Sequence, residues 1–362
     1  MPRRTATMLA SLLMLIGLLC AGVLIHVPYA EMSPGPSYNT LGRHNGECVL
    51  RVSGQENCDA VRGHLNMTTV RVTGSDYKMN LVEAVYGWLG HDDIVVPHDT
   101  LYPDDKSPDE VNQENAAEFS ESQESAKVAA LRELRRPVRS RVVVAAVVKD
   151  SPSRGKLHAG DVIREVDGSA VHEPGDVAKL VTKHRPGQRV VFSIVPAKQA
   201  AAAEKSRDDS AYRRSVTITT RKAPDGDRAV VGIQAGTDYT LPVRIDIRLA
   251  DVGGPSAGLM FALGIVDKMS PVDLTGGKFV AGTGTIDDQG RVGPIGGVEL
   301  KTIGARKAGA RYFFTPAENC PAAAGDVPGG LTLVKVTTLH DALESLKKIR
   351  TGDTAGLPRC AG

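Results

Sequence analysis

The longest apolar run in the chain comes first. Met8 to Ile25 reads MLASLLMLIGLLCAGVLI, eighteen residues without a charge, which as a helix is just long enough to cross a hydrocarbon core. Arg3 and Arg4 precede it, and the positive-inside rule keeps them on the cytoplasmic side. The expectation is a cytoplasmic N-terminus over residues 1–7, a single-pass anchor over 8–27, and everything beyond it outside the cell membrane. A cleaved signal peptide is the competing expectation, but Val27-Pro28-Tyr29-Ala30 offers no small-x-small cleavage pattern. After the run the apolar pattern breaks into short pieces. Ser33-Pro34-Gly35-Pro36 reads as a rigid stalk within residues 27–45. Runs at 67–72 and 94–96 read as strands bracketing the apolar stretch Leu81 to Leu89, and a helix is expected from Val111 to Leu134. These pieces make a small exported domain over 28–136.

A second unit, expected over 137–222, has strands at Val142–Val148, Arg189–Val195 and Ser215–Thr220 and a helix from Gly175 to His184. Within it, residues 197–214, AKQAAAAEKSRDDSAYRR, lack sustained apolar periodicity and read as an exposed linker. The third unit, 223–350, opens with a strand from Val243 to Ala250, an apolar helix from Leu259 to Met269 and a further helix through Lys307, and residues 351–362 form a tail. Strands and helices mixed in this way make the chain an α/β and α+β multidomain protein.

Composition narrows the function. Forty-four basic and forty-two acidic residues give a formal charge of +2, so no nucleic-acid partner is expected. Hydrophobic residues at 41% and charged residues at 24% exclude a wholly disordered chain and a polytopic membrane protein. The charges are uneven: residues 91–125 hold eleven acidic side chains and one lysine, and 126–156 hold nine basic and two acidic. They read as two solvated faces, mutual pairing being the alternative. Cys20 lies in the apolar run, leaving four cysteines outside. By parity and proximity these pair as Cys48 with Cys58, across a hairpin turning at Ser53-Gly54, and Cys320 with Cys360. No CxxC or HExxH occurs, so no metal is expected. The histidines, among them His91, His98 and His340, stand in no triad context, and Asp287-Asp288-Gln289-Gly290 reads as a hairpin turn.

The candidate chemistry lies where glycines crowd, fifteen of the 38 falling between Val230 and Ala305. Asp251-Val252-Gly253-Gly254-Pro255-Ser256-Ala257-Gly258 leads into the apolar helix, placing the Ser256 hydroxyl at a positive helix end where backbone N–H groups are free. Such a position suits an acyl-transfer nucleophile beside an oxyanion hole, and equally a phosphate-binding loop. A second cluster, Gly293-Pro294-Ile295-Gly296-Gly297, precedes Val298-Glu299-Leu300-Lys301-Thr302 and puts Lys301 one turn into a helix.

Two resemblances follow. Ser151-Pro152, Ala159-Gly160-Asp161-Val162-Ile163 and Val166-Asp167-Gly168, after the strand at Val142, resemble a PDZ domain of the kind attached to exported serine proteases. That implies an extended peptide added as a strand, although no glycine-and-hydrophobic carboxylate loop is evident near Pro137 to Arg141; a rigid spacer is the alternative. The GPSAG and PIGGVELK motifs, with Ala281-Gly282-Thr283-Gly284-Thr285-Ile286 between them, resemble the proteolytic domain of Lon-type proteases over residues 230–346. The whole chain looks like a membrane-anchored, PDZ-bearing Lon-like serine protease. The resemblance implies Ser256 as nucleophile, Lys301 as base, Thr283 orienting the lysine, and amides around Gly254 and Ser256 as oxyanion donors. It implies no cofactor, protein or peptide substrates, and a homo-oligomeric ring. Two departures stand out. Gly253 occupies a place where many Lon-type enzymes have an acidic residue, with Asp251 two positions too early to replace it. No GxxxxGK[ST] occurs, so ATP-driven unfolding is not expected. A lysine base must be neutral, so Lys301 is expected to lie among apolar residues such as Ile295, Leu300 and Ile303. The alternatives are a non-catalytic PDZ-bearing surface adaptor with a degenerate protease fold and a phosphoryl-transfer enzyme using the glycine-serine loop.

Overall fold

A computed structural model describes residues 3–55, 58, 62–90, 92–103, 107–206, 208–249 and 252–360. In chain order, the elements used below are α1 (Arg3–Leu24), β1 (Tyr29–Asn39), β2 (Leu50–Val52), β3 (His64–Val72), α2 (Leu81–Leu89), β4 (Ile94–Pro97) and α3 (Pro108–Glu133). They continue with β5 (Arg139–Val147), β6 (Val162–Val166), α4 (Pro174–Val181), β7 (Arg189–Val195), α5 (Ala197–Lys205), β8 (Arg214–Thr219) and β9 (Ile233–Thr240). The last are β10 (Ile245–Ile247), α6 (Gly258–Met269), β11 (Phe279–Gly282), α7 (Val298–Lys307), β12 (Tyr312–Pro316), β13 (Thr332–Val336) and α8 (Leu339–Thr351).

The chain forms two compact units, but not at the boundaries that the residue pattern suggests. One unit combines residues 1–136 with 243–362, and the other is Pro137–Pro242. Residues 28–136 are therefore not a domain of their own. Strands β1, β3 and β4 belong to one six-stranded sheet in the order β13-β12-β11-β3-β1-β4. Strand β3 runs parallel to β11, with His64 opposite Phe279 and Met67 opposite Gly282, while β1 lies antiparallel between β3 and β4. The expected stalk is β1 itself: its prolines are tolerated where the register with β3 shifts between Pro34 and Ser37, a place that needs no regular ladder bond. The short β2 pairs with β10, joining the two stretches of this unit a second time.

Helix α6 is the core of the first unit. Every residue from Gly258 to Lys268 is buried, as the sequence GLMFALGIVDK requires of a helix apolar on nearly all sides. It packs against α3, β3 and α8, and Phe119 of α3 meets Phe261 edge-on at 5.8 Å. Helix α3 is the predicted long helix, started by a Ser107–Glu110 capping box with proline in its first turn. Its acidic N-terminal half is largely exposed, and its basic end reaches the hairpin at Asp287–Gly290, where Arg132 pairs with Asp288 at 2.8 Å. The sulfurs of Cys48 and Cys58 lie 2.07 Å apart and those of Cys320 and Cys360 2.01 Å apart.

Pro137–Pro242 has its own sheet, β8-β7-β6-β5-β9, and its own cluster of buried side chains, including Val144, Leu157, Val166, Val190, Phe192 and Ile218. Residues 197–214 are not a linker. Ala197–Lys205 is helix α5, and Ala200 and Ala203 bury against Val143, Val162 and Val195; two small apolar residues three apart suffice to seat one helical turn. The unit also extends past residue 222, because β9 pairs with β5 from Ile233 opposite Val147 to Thr240 opposite Arg139.

Candidate active site

Ser256 stands two residues before α6, Lys301 in the first turn of α7, and Thr283 just after β11. Lys301 Nζ lies 2.7 Å from Ser256 Oγ and 3.2 Å from Thr283 Oγ1. Thr283 Oγ1 in turn donates to the Ser256 carbonyl at 3.1 Å. Three residues spread over 45 positions thus share one hydrogen-bonded cluster. Lys301 is 4% exposed and Thr283 fully buried, while Ser256 is half-buried and reachable. Burial alone lowers the lysine pKa to about 8, and among the described residues no carboxylate comes within ion-pairing distance to oppose it. Leu300 is buried and Ile295 and Ile303 are half-buried around the same turn.

The loop that presents Ser256 is held from outside its own sequence. Gly254 has φ +80°, a conformation that favours glycine. Its N–H donates to the Asn115 carbonyl of α3 at 2.9 Å, so Gly254 is not the free oxyanion donor expected of it; its place is in the turn. Ser122, also on α3 and buried, donates its hydroxyl to the Pro255 carbonyl at 2.8 Å. Neither α3 contact is signalled by the motifs, because nothing near Asn115 or Ser122 resembles a site. The Ser256 carbonyl also accepts from the Gly284 N–H at 2.9 Å. The N–H groups of Ser256 and Ala257 have no acceptor among the described residues, leaving two donors at the start of α6. In front of the serine is a cleft of about 510 Å3 whose walls include Met32, Met67, Val70 and Ile295, with Tyr38 and Arg71 among its polar lining.

The remaining sequence candidates fall outside this cluster. His98 Nε2 lies 3.0 Å from the Ser75 carbonyl and His340 Nδ1 2.8 Å from Glu133; His91 and Asp251 lie outside the described residues. In the other unit, a glycine turn and an apolar groove lie at the opposite end of the chain segment from Pro137–Arg141. Val230-Val231-Gly232 precedes the edge strand β9, and an apolar groove of about 490 Å3 runs between β9 and α4, lined by Val177, Val181, Val231, Ile233 and Ala235. Gly232 has φ +75°, and a Cβ there would collide with Ser151. The loop carbonyls are occupied by Val148 N–H and by Ser153.

Comparison with known proteins assigns families to two stretches of the chain. Residues 119–198 match the family model of the PDZ domain, and residues 250–348 match that of the Lon protease (S16) C-terminal proteolytic domain. The PDZ match begins within α3, which belongs to the other compact unit. Lon protease 2 of Bacillus subtilis is 36% identical over 97 residues, 26% of this chain and 17% of its own length. Lon protease 2 of Thermus thermophilus is 43% identical over 75 residues, 21% of this chain and 9% of its own. The chain therefore spans less than a fifth of the length of these curated relatives. Among solved structures, the PDZ domain of the SdrC-like protein from Listeria monocytogenes is 23% identical, covering 26% of this chain and 86% of that one at a TM-score of 0.21. The chain thus carries a PDZ domain followed by a proteolytic domain of the Lon family, a family of serine peptidases.

Proposed function

We propose that this protein is a serine endopeptidase that works without ATP, is held in the cell membrane by α1, and cleaves exported or membrane-associated proteins on the extracytoplasmic side. The observation that carries the reading is the buried Lys301 amine 2.7 Å from the Ser256 hydroxyl with a pKa near 8. In the ammonium form Lys301 donates to Ser256 Oγ. In the neutral form the Ser256 hydroxyl donates to Nζ, and its proton passes to the amine as Oγ bonds to a peptide carbonyl carbon. The oxyanion is received by the amides at the start of α6, each such donor being worth about 3 kcal/mol. The ammonium then protonates the leaving amine as the C–N bond breaks, and a water deprotonated by Lys301 clears the acyl-enzyme. Thr283, bonded to the base and to the nucleophile's carbonyl, keeps Nζ aimed at Oγ.

Without a GxxxxGK[ST] motif, substrates must arrive already extended. The groove between α4 and β9 suits their capture, because β9 is an edge strand with apolar pockets beside it. A ring of subunits belongs to the same proposal, and sedimentation of the solubilised protein measures it.

The test uses full-length protein in detergent with a peptide library at pH 8 and no nucleotide. The parent is expected to cleave, and Ser256→Ala not to. Lys301→Arg keeps the charge but cannot deprotonate in the working range, so its turnover is expected below a few per cent of the parent, with a melting curve recorded beside it to show that the protein is folded. Higher turnover by a folded Lys301→Arg protein overturns the dyad.

A further inference from the structure

Helix α2 buries its small residues and exposes its large apolar ones. Ala84 and Gly87 face inward, Gly87 so close to Val95 that a Cβ there would lie 2.6 Å from its Cγ2. Tyr86 and Leu89 are each 76% exposed and Trp88 54%, with Leu81, Val82 and Val85 exposed beside them. An ordinary surface helix is arranged the other way round, and a contiguous apolar patch of this kind marks an interaction surface.

The position of the patch indicates what covers it. Helix α2 is bonded directly to the outer end of α1: Leu81 N–H donates to the Ile25 carbonyl at 2.9 Å, and Val27 N–H to the Met79 carbonyl at 2.9 Å. Gly22, in the last turn of α1, is buried against Val82, where a side chain would leave no room. Trp88 stands edge-on to Tyr29 at 5.3 Å, five residues past the end of α1. The exposed face of α2 is thus continuous with the helix that enters the bilayer, at the level where tryptophan and tyrosine favour the membrane interface. Charge selects the kind of surface. The one charged residue of α2, Glu83, accepts from the Asn80 N–H and the Tyr77 hydroxyl, Asp92 and Asp93 follow, and no lysine or arginine occurs between Lys78 and Lys106. The exposed Lys78 at the start of the patch is outnumbered by Glu83, Asp92 and Asp93, so burial of apolar area rather than attraction to anionic headgroups drives the contact.

We propose that α2 is a second membrane element, lying in the plane of the outer interface beside the anchor with Tyr86, Trp88 and Leu89 about 5–10 Å into the headgroup boundary. It holds the catalytic unit at a fixed height and orientation on a neutral lipid surface. This rests on the reading of α1 as a membrane anchor.

Trp88 is the chain's single tryptophan and reports its own surroundings. Full-length protein is placed in phosphatidylcholine nanodiscs with and without lipid carrying a doxyl group at position 5 of the acyl chain. The expected result is blue-shifted Trp88 emission, quenched about twofold or more by the doxyl lipid, weakly by acrylamide, and indifferent to high salt. The Tyr86→Glu/Leu89→Glu variant, altered at two exposed positions, is expected to enter the discs equally and to reverse the two quenching preferences. Discs that hold the parent while Trp88 is quenched by acrylamide and not by lipid overturn the inference and leave the anchor standing. Quenching that requires phosphatidylglycerol and vanishes in salt also overturns it. A parent that neither enters discs nor resists carbonate extraction overturns the anchor, and this inference with it.

Discussion

The role proposed for Lys301 works against the stability of its fold. Burial lowers its pKa from 10.5 to about 8, so near pH 8 a large fraction of the enzyme holds the neutral amine that the proposed reaction needs. Rising pH creates the base, and kcat/KM is expected to climb through pH 8 and level off above it; a profile that falls over this range counts against a neutral lysine. The same shift has a sign for stability. The unfolded chain binds more protons than the folded one between pH 8 and 10.5, so stability increases with pH across that window and the cost of burying the ammonium is fully present below it. Lys301→Met is therefore expected to raise unfolding free energy at pH 7 by up to about 3 kcal/mol, a gain that shrinks toward pH 10 in denaturant titrations while activity is lost. Equal stability of the two proteins at pH 7 contradicts the desolvated amine. At this scale much was legible: Ser256 and Lys301 stand in short glycine-flanked motifs whose local geometry travels with them. The function of the Gly254 amide was not legible, because its acceptor, the Asn115 carbonyl, lies far upstream in a helix with no mark of a site.

Among the elements, α3 supports the nucleophile loop, through the Asn115 carbonyl to Gly254 and the Ser122 hydroxyl to Pro255. Ser122→Ala removes the second bond and leaves a buried carbonyl without that donor, which is expected to cost about 1 kcal/mol of stability. Because the loop is then free to drift from the lysine, kcat is expected to fall about tenfold with little change in KM. A variant with parent-like kcat and lowered stability would assign Ser122 to packing alone. The helices α3 and α6 and the hairpin at Gly290 were readable from periodicity, capping and turn residues. Strand β1 was not, since its Pro-Gly-Pro stretch reads as an extended connector and only β3 and β4 on either side make it a strand. Helix α5 was missed for the opposite reason: its burial rests on two alanines, too little apolar area to form a period.

At the scale of the whole molecule, the proposed topology and cysteine pairing give further outcomes. Protease treatment of intact cells is expected to remove epitopes around Cys320, and full protection there contradicts an extracytoplasmic catalytic unit. Non-reducing peptide mapping is expected to recover Cys48 with Cys58 and Cys320 with Cys360, consistent with an oxidising compartment; four free thiols contradict both pairing and compartment. The domain plan itself was only partly visible in the sequence, because a unit made of two separated stretches leaves no local trace at their junction.

That discontinuity sets the order of assembly. Strand β3 meets its parallel neighbour β11 only after the whole of Pro137–Pro242 has been made, since His64 pairs with Phe279. Until then β1, β3 and β4 form half a sheet with an open edge at β3, the kind of edge that recruits foreign strands. Contacts of such long sequence separation close late. The nascent chain is thus most prone to aggregation while its central segment is still emerging. The helix that steadies Ser256 waits in the first half of the chain for a serine made in the second, so the cluster of Ser256, Thr283 and Lys301 is among the last parts of the fold to be completed.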